Sequence, residues 1–215
     1  MPLYTTAKIE FQGLMAAESL DPVRALDEFE RLDNSNVDRF GFSRQRLPAS
    51  MLETYCRLSR ESGRAPGQQV EKRISEIADR LFASKARLVP GAEDVLRALK
   101  DFRLMLLTKG DRVVQQRRLE ESGLGGYFES IHIVPNKQEA AFQTLIKENG
   151  IDKQISWSVG DSLRSDVQPA LKVGLNAIWI PASTWSYEVG SVRSDKEGLY
   201  ICEALTGVPL ILKRP

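Results

Sequence analysis

Histidine and cysteine are scarce in this chain: one histidine, His132, and two cysteines, Cys56 and Cys202, among 215 residues. A single histidine argues against a histidine-built metal site and against a serine–histidine–aspartate triad. The two cysteines are far apart and form no C-x-x-C pair, so neither a disulfide framework nor a thiolate zinc site is expected. No apolar run reaches the roughly 18 residues of a membrane span. The first residues lack the basic-then-apolar order of a secretion signal. A cytoplasmic protein that does not enter the membrane is expected. An excess of one charge is also lacking. Thirty basic residues stand against twenty-nine acidic ones, for a net charge of +1. Broad nucleic-acid binding needs a strongly basic surface, so nucleic acid is not an expected partner. A small basic pocket for one phosphate stays open. What is present is a globular composition, 42% apolar and 27% charged. The length suits one large domain, or one domain with a modest insertion, and a real core.

The chain changes texture near residue 88, which predicts a helical subdomain over residues 1–87 and an α/β domain over 88–215. Before that point the pattern is helical throughout. Asp21-Pro22 reads as an N-cap and first-turn pair, with Val23, Leu26, Phe29 and Leu32 behind it. Val70, Ile74, Ile77, Ala78 and Leu81 recur at helical spacing. After it, short apolar runs at 102–108, 131–134, 155–159 and 176–180 alternate with helical segments. Gly150 closes one of these in the C′ role. Such alternation implies crossover units and a mostly parallel sheet covered by helices on both faces, a three-layer α/β sandwich. The four strands are expected to be parallel members of one sheet. The stretches 199–202 and 210–212 read equally well as edge strands or as packing segments.

Ligands of open parallel sheets sit beyond the carboxyl ends of the strands. Three such ends carry polar residues of one character. The first runs Thr108-Lys109-Gly110, where a hydroxyl and backbone amides suit phosphate oxygens, although Thr108 serves equally as a helix cap. The second leads to Lys137 at a predicted helix start, where a cation meets the wrong end of the dipole and an anion would compensate. A solvated lysine is the plainer alternative. The third is Gly160-Asp161-Ser162, followed by Arg164-Ser165-Asp166. Two carboxylates near one strand end suit magnesium, which prefers oxygen ligands. Arg39, Phe40 and Tyr55 in the helical part are candidate substrate contacts or ordinary packing residues.

With these motifs in place the sequence resembles the haloacid dehalogenase-like hydrolase superfamily. The likeness covers residues 88–181 well, with the helical part in the position of an inserted cap. An apolar strand ending in Thr matches Leu106-Leu107-Thr108. The family's lysine is best matched by Lys137. Its GDSxxxD run is Gly160-Asp161-Ser162-Leu163-Arg164-Ser165-Asp166. The resemblance implies a Rossmann-like core and magnesium-dependent hydrolysis of a small phosphorylated substrate by a monomer or homodimer. It implies that Thr108 and Lys137 contact the phosphoryl group, with Lys109 and Gly110 beside them. Asp161 would hold magnesium and Asp166 would order that loop, while the cap would select substrate.

One departure stands against the match. The family's first motif, DxDx(T/V) at the end of the first core strand, supplies the aspartate nucleophile, and no aspartate precedes Asp21. Asp21 begins a helix and Asp33 is expected between helices. A central strand is therefore expected to be missing, leaving about 10 Å between the strands that would flank it. Three readings follow: part of a longer active hydrolase, a truncated chain that rearranges or pairs with another, or a catalytically dead binding protein. A haloacid dehalogenase reading needs the same missing nucleophile. The chain as it stands is expected to be inactive and to bind magnesium weakly.

Overall fold

The computed structural model describes residues 2–85, 87–182, 185–191 and 196–213. The chain divides into two compact units, Met1–Ala86 and Arg87–Pro215.

The first unit is helical: α1 (Pro2–Ala17), α2 (Pro22–Ser35), α3 (Val37–Phe40), α4 (Arg46–Glu61) and α5 (Gln68–Ala83). Asp21 starts α2 as expected, its carboxylate accepting the amides of Val23 and Arg24, with Pro22 in the first turn. The proline supplies a preset φ and withholds a donor that would go unused there. The apolar faces meet in one core through Phe11, Met15, Phe29, Met51, Ile74 and their neighbours. Phe11 and Phe29 are fully buried, their ring centroids 5.7 Å apart. Each such side chain contributes about 1.5–3 kcal/mol when removed from water. Tyr55 belongs to this core, and its hydroxyl accepts the Gly67 amide at 2.9 Å. Arg39 is exposed, paired with Glu53 and laid over the Phe40 ring.

Asp33 does not lie between helices. It sits in the last turn of α2 and is buried. Its Oδ1 accepts Arg46 Nε at 3.0 Å and Ser50 Oγ at 3.0 Å, and Ser50 Oγ accepts Asn36 Nδ2 at 3.1 Å. Burial pushes the Asp33 carboxyl above its ordinary range, against the pull of Arg46 and Ser50. A buried charge is tolerated only with its partner. Arg46→Met should therefore destabilise the chain by about 3–5 kcal/mol, whereas the double replacement Asp33→Leu with Arg46→Met should recover most of that loss. Urea denaturation of the three variants measures both. A harmless Arg46→Met would show that water reaches the carboxylate.

The second unit alternates strand and helix: α6 (Ala92–Ala98), β1 (Met105–Lys109), α7 (Arg112–Ser122), β2 (Ser130–Val134), α8 (Glu139–Asn149) and β3 (Trp157–Gly160). A π-helical turn (Leu163–Val167), α9 (Gln168–Lys172), β4 (Asn176–Trp179), β5 (Leu199–Ile201) and α10 (Val208–Leu212) follow. Gly150 ends α8 in the left-handed region at φ 58, as its place in the sequence implied. Of the two ambiguous tail segments, the first is strand and the second helix. Every strand pairing is parallel: β1 with β2, β3 with β4, and β4 with β5. Helices cover both faces. Val95, Leu99 and Val208 pack on one side with Ile178 and Trp157. Phe142, Ala170 and Val173 pack on the other with Leu107. This is the expected three-layer α/β core, preceded by a helical region.

The expectation of one sheet is corrected. The strands form two, β1-β2 and β3-β4-β5. The physical reason lies between β1 and β3, where no strand among the described residues joins them. The burial pattern records the same break. All five residues of β1 are only partly buried, and Val159 in β3 is 39% exposed. In β4, which has partners on both sides, Ala177 and Ile178 are both 0% exposed. The helices on the two faces span the break, since Leu104 just before β1 packs in the same cluster as Trp157 of β3.

Candidate active site

The carboxyl ends of β1, β2 and β3 converge in side-chain chemistry. Lys109 is the last residue of β1. Thr108 precedes it, in register with Ile133 of β2. Gly110 follows with φ 134, a conformation that L side chains rarely adopt. Its amide is committed to the Val134 carbonyl at 3.1 Å, so the ladder runs one residue past the strand. The helix cap there is Asp111, whose carboxylate accepts the amides of Val113 and Val114. That leaves Thr108 without the capping task. His132, on β2, contacts Ser130 Oγ at 3.0 Å and has a structural part.

Lys137 lies just ahead of α8 rather than in its first turn. Its ammonium binds Asp166. Asp166 is 6% exposed, and its other carboxylate oxygen accepts the Ser162 amide at 3.0 Å. Gly160 makes room for this arrangement. A Cβ built there would lie 2.3 Å from Asp166 Cγ. The π-helical turn that carries Asp166 is capped by Ser162, whose hydroxyl accepts the Ser165 amide.

The link from β1 to this turn is Glu188, which the sequence reading passed over. It lies after β4 in a short 3-10 turn, Ser186–Glu188, and is 6% exposed. Its carboxylate binds the Lys109 ammonium on one oxygen and accepts the hydroxyls of Ser162 and Ser165 on the other. Ser165 Oγ in turn accepts from Lys109 Nζ. The only sequence signal for Glu188 is an acid beside aromatic residues, Trp185-Ser186-Tyr187-Glu188, in a tail without clear periodicity. Burial pushes the Glu188 carboxyl up, but Lys109 and the two serine hydroxyls outweigh it and hold it below its ordinary value. Burial lowers the Lys109 ammonium, helped by the charge of Lys137 and opposed by Glu188.

Of the residues singled out in sequence, Lys109, Lys137, Asp161 and Asp166 thus share one electrostatic neighbourhood. Asp161 is the exposed member. Desolvation of its carboxyl, then the negative charge of Asp166, push it above the ordinary carboxylate range. A divalent cation would relieve that. Yet the described residues contain no group of three or more histidine, cysteine or acidic side chains able to hold a metal. Asp166, whose charge acts most on Asp161, is already bound to Lys137. Asp161 therefore fits one corner of an oxygen shell and does not make a magnesium site by itself, because magnesium gives up its waters reluctantly. Calorimetric titration with magnesium alone should find weak binding. Low-micromolar affinity that is lost in Asp161→Asn would show that other ligands complete the shell.

Gly160→Ala should disturb the Asp166 carboxylate directly. The added methyl cannot be accommodated without moving a buried, ion-paired group, and overpacking of this kind costs about 1–3 kcal/mol. Urea denaturation should show that loss. Unchanged stability would mean that Asp166 has room to turn aside.

Comparison with known proteins follows these lines. A family model for haloacid dehalogenase-like hydrolases matches residues 12–174. The chain is 32% identical over 120 residues to the pyrimidine 5'-nucleotidase PynA of Streptococcus pneumoniae, covering 51% of each protein. It is 33% identical over 99 residues to the human N-acylneuraminate-9-phosphatase, covering 41% of this chain and 40% of that protein. The chain thus spans about half the length, or less, of these curated relatives. Among solved structures, a haloacid dehalogenase-like hydrolase of Xanthomonas campestris superimposes with a TM-score of 0.81 at 24% identity, over 98% of this chain and 87% of that one. The magnesium-bound YfnB of Bacillus subtilis superimposes with a TM-score of 0.63 at 17% identity, over 98% and 93%. The family match spans both the helical unit and the strand ends where Lys109, Lys137, Asp161 and Asp166 meet, and the chain belongs to the haloacid dehalogenase-like hydrolases.

Proposed function

We propose that the second unit is the phosphate-handling core of a phosphohydrolase acting on a small phosphate ester. In this reading the nucleophilic aspartate arrives on a strand seated between β1 and β3. The observation that carries it is the break between the two sheets: among the described residues β1 has a strand partner only in β2, and β3 only in β4. Strand edges with no strand partner among the described residues favour an added strand. Its carboxyl end would lie beside Lys137 and Asp161. The relatives named above support the substrate class, since their names describe action on phosphate esters.

Thr108 and Lys137 then hold the phosphoryl oxygens, Asp166 keeps Lys137 in place, and Asp161 offers a carboxylate to a cation. Magnesium, when bound, would screen charge between phosphate and carboxylates. The incoming carboxylate attacks phosphorus and the ester oxygen leaves with its electron pair. Water then cleaves the acyl phosphate, returning the carboxylate and releasing phosphate. A haloacid dehalogenase reading finds less use for paired lysines and carboxylates at one edge. The helical unit takes the part of a substrate-selecting cap. We place the protein in the cytoplasm as a monomer or homodimer. No helix among the described residues is long and apolar enough to cross a membrane.

Residues 1–215 alone should not hydrolyse an aryl phosphate above an Asp161→Asn control. A chain carrying, ahead of residue 1, a strand that ends in Asp-x-Asp should gain thermal stability and magnesium-dependent turnover together. Steady-state assays of both forms, with magnesium and with chelator, decide it. Chelator-sensitive turnover by residues 1–215 alone would overturn the reading.

A further inference from the structure

Glu188 is a buried carboxylate with three side-chain donors from two other segments: Lys109 at the end of β1, and Ser162 and Ser165 in the π-helical turn. An ammonium and two hydroxyls aimed at one carboxylate also make a niche for a tetrahedral oxyanion. The balance of charge at this edge matters. Two ammonium groups, Lys109 and Lys137, are each matched by an internal carboxylate, Glu188 and Asp166. Asp161 adds a further negative charge close by. An oxyanion entering here meets cations whose charge is already balanced, unless one carboxylate withdraws.

The two carboxylates differ in how they are held. Asp166 belongs to the π-helical turn itself. Its side chain accepts a backbone amide and rests against the bare Cα of Gly160, and its carbonyl accepts Ser158 Oγ at 2.9 Å. It cannot leave without unmaking the turn. Glu188 rides on a three-residue 3-10 turn outside the sheet, followed by Val189 at 64% exposure. Among the described residues its carboxylate is held by side chains, those of Lys109, Ser162 and Ser165. The same turn contacts the π-helical turn through Tyr187, whose ring centroid lies 3.9 Å from the Arg164 guanidinium and which stacks on Trp185 with centroids 4.9 Å apart.

We propose that Lys109, Ser162 and Ser165 form an oxyanion-binding niche that the chain's own Glu188 occupies, and that inorganic phosphate or a phosphate ester binds there by displacing it. This rests on the phosphohydrolase reading of the same edge. Equilibrium binding of phosphate, measured without turnover, separates the two: phosphate binding with no hydrolysis by the strand-extended form would leave the niche standing and end the hydrolase reading.

The test is calorimetric titration of the full chain with inorganic phosphate. Glu188→Gln keeps the shape and removes the competing charge, so phosphate should bind at least about tenfold more tightly than to the native chain. Adding Lys109→Met to that variant should abolish the gain. If Glu188→Gln folds, by near-ultraviolet circular dichroism, and binds phosphate no better than the native chain, the proposal is wrong. If Glu188→Gln does not fold, the native chain decides. Hydrogen exchange of residues 185–191 should rise as phosphate is added, because the turn loses its anchor. Exchange that is unchanged or slowed at the highest phosphate reached overturns it.

Discussion

A parallel strand inside a sheet needs hydrogen-bonded neighbours on both sides, because its amides and carbonyls are otherwise left without partners as helices close over the faces. Among the described residues β1 is paired with β2 alone and β3 with β4 alone. Much of the candidate site depends on the break between them. β1 ends in Lys109 and β3 leads into Asp161 and Asp166, so the separation of the two sheets sets the separation of the lysine from the acids. Long side chains do the bridging. Lys109 reaches Ser165, and Glu188 reaches back to Lys109. On the two faces, α6 with α10 and α8 with α9 supply the apolar layers that hold the halves together.

The electrostatics at this edge follow from burial. Lysine and carboxylate removed from water are each destabilised, and pairing offsets the loss only when further donors satisfy the remaining lone pairs. Glu188 meets that condition with Lys109 and two serines, and Asp166 meets it with Lys137 and the Ser162 amide. Asp161 is exposed at the same edge, and partial desolvation and the charge of Asp166 still raise its carboxyl. The helical unit follows the same rule within its own core. There Asp33, Arg46 and Ser50 form a buried polar group whose members satisfy one another.

Much of this was legible in the residues. Asp21-Pro22 starts a helix because a carboxylate and a preset φ suit its first turn, and Gly150 ends one because it alone takes the left-handed conformation without strain. Apolar runs mark the strands, with displaced boundaries. The run beginning at Phe102 becomes strand only at Met105, and Arg103 in the approach pairs with Glu129. A polar run suggests a loop at Asp33, yet the residue lies inside α2. Its partners lie 13 and 17 residues further along, a spacing no local pattern reveals.

The sequence by itself determined the class of fold, the family and most of the charged groups at the strand ends. Those depend on periodicity and on short motifs such as Gly160 to Asp166, in which neighbours along the chain are neighbours in space. Tertiary structure alone decided which acid meets which lysine. Lys109 and Glu188 are 79 residues apart, and Lys137 and Asp166 are 29 apart. Such pairs form because crossover connections bring distant strand ends to one edge, where buried charges must find partners. The division into two sheets was partly legible: the absent DxD segment implied a missing central strand, but the apolar pattern of the four runs pointed to one sheet and carries no record of which strand edges lack a strand neighbour.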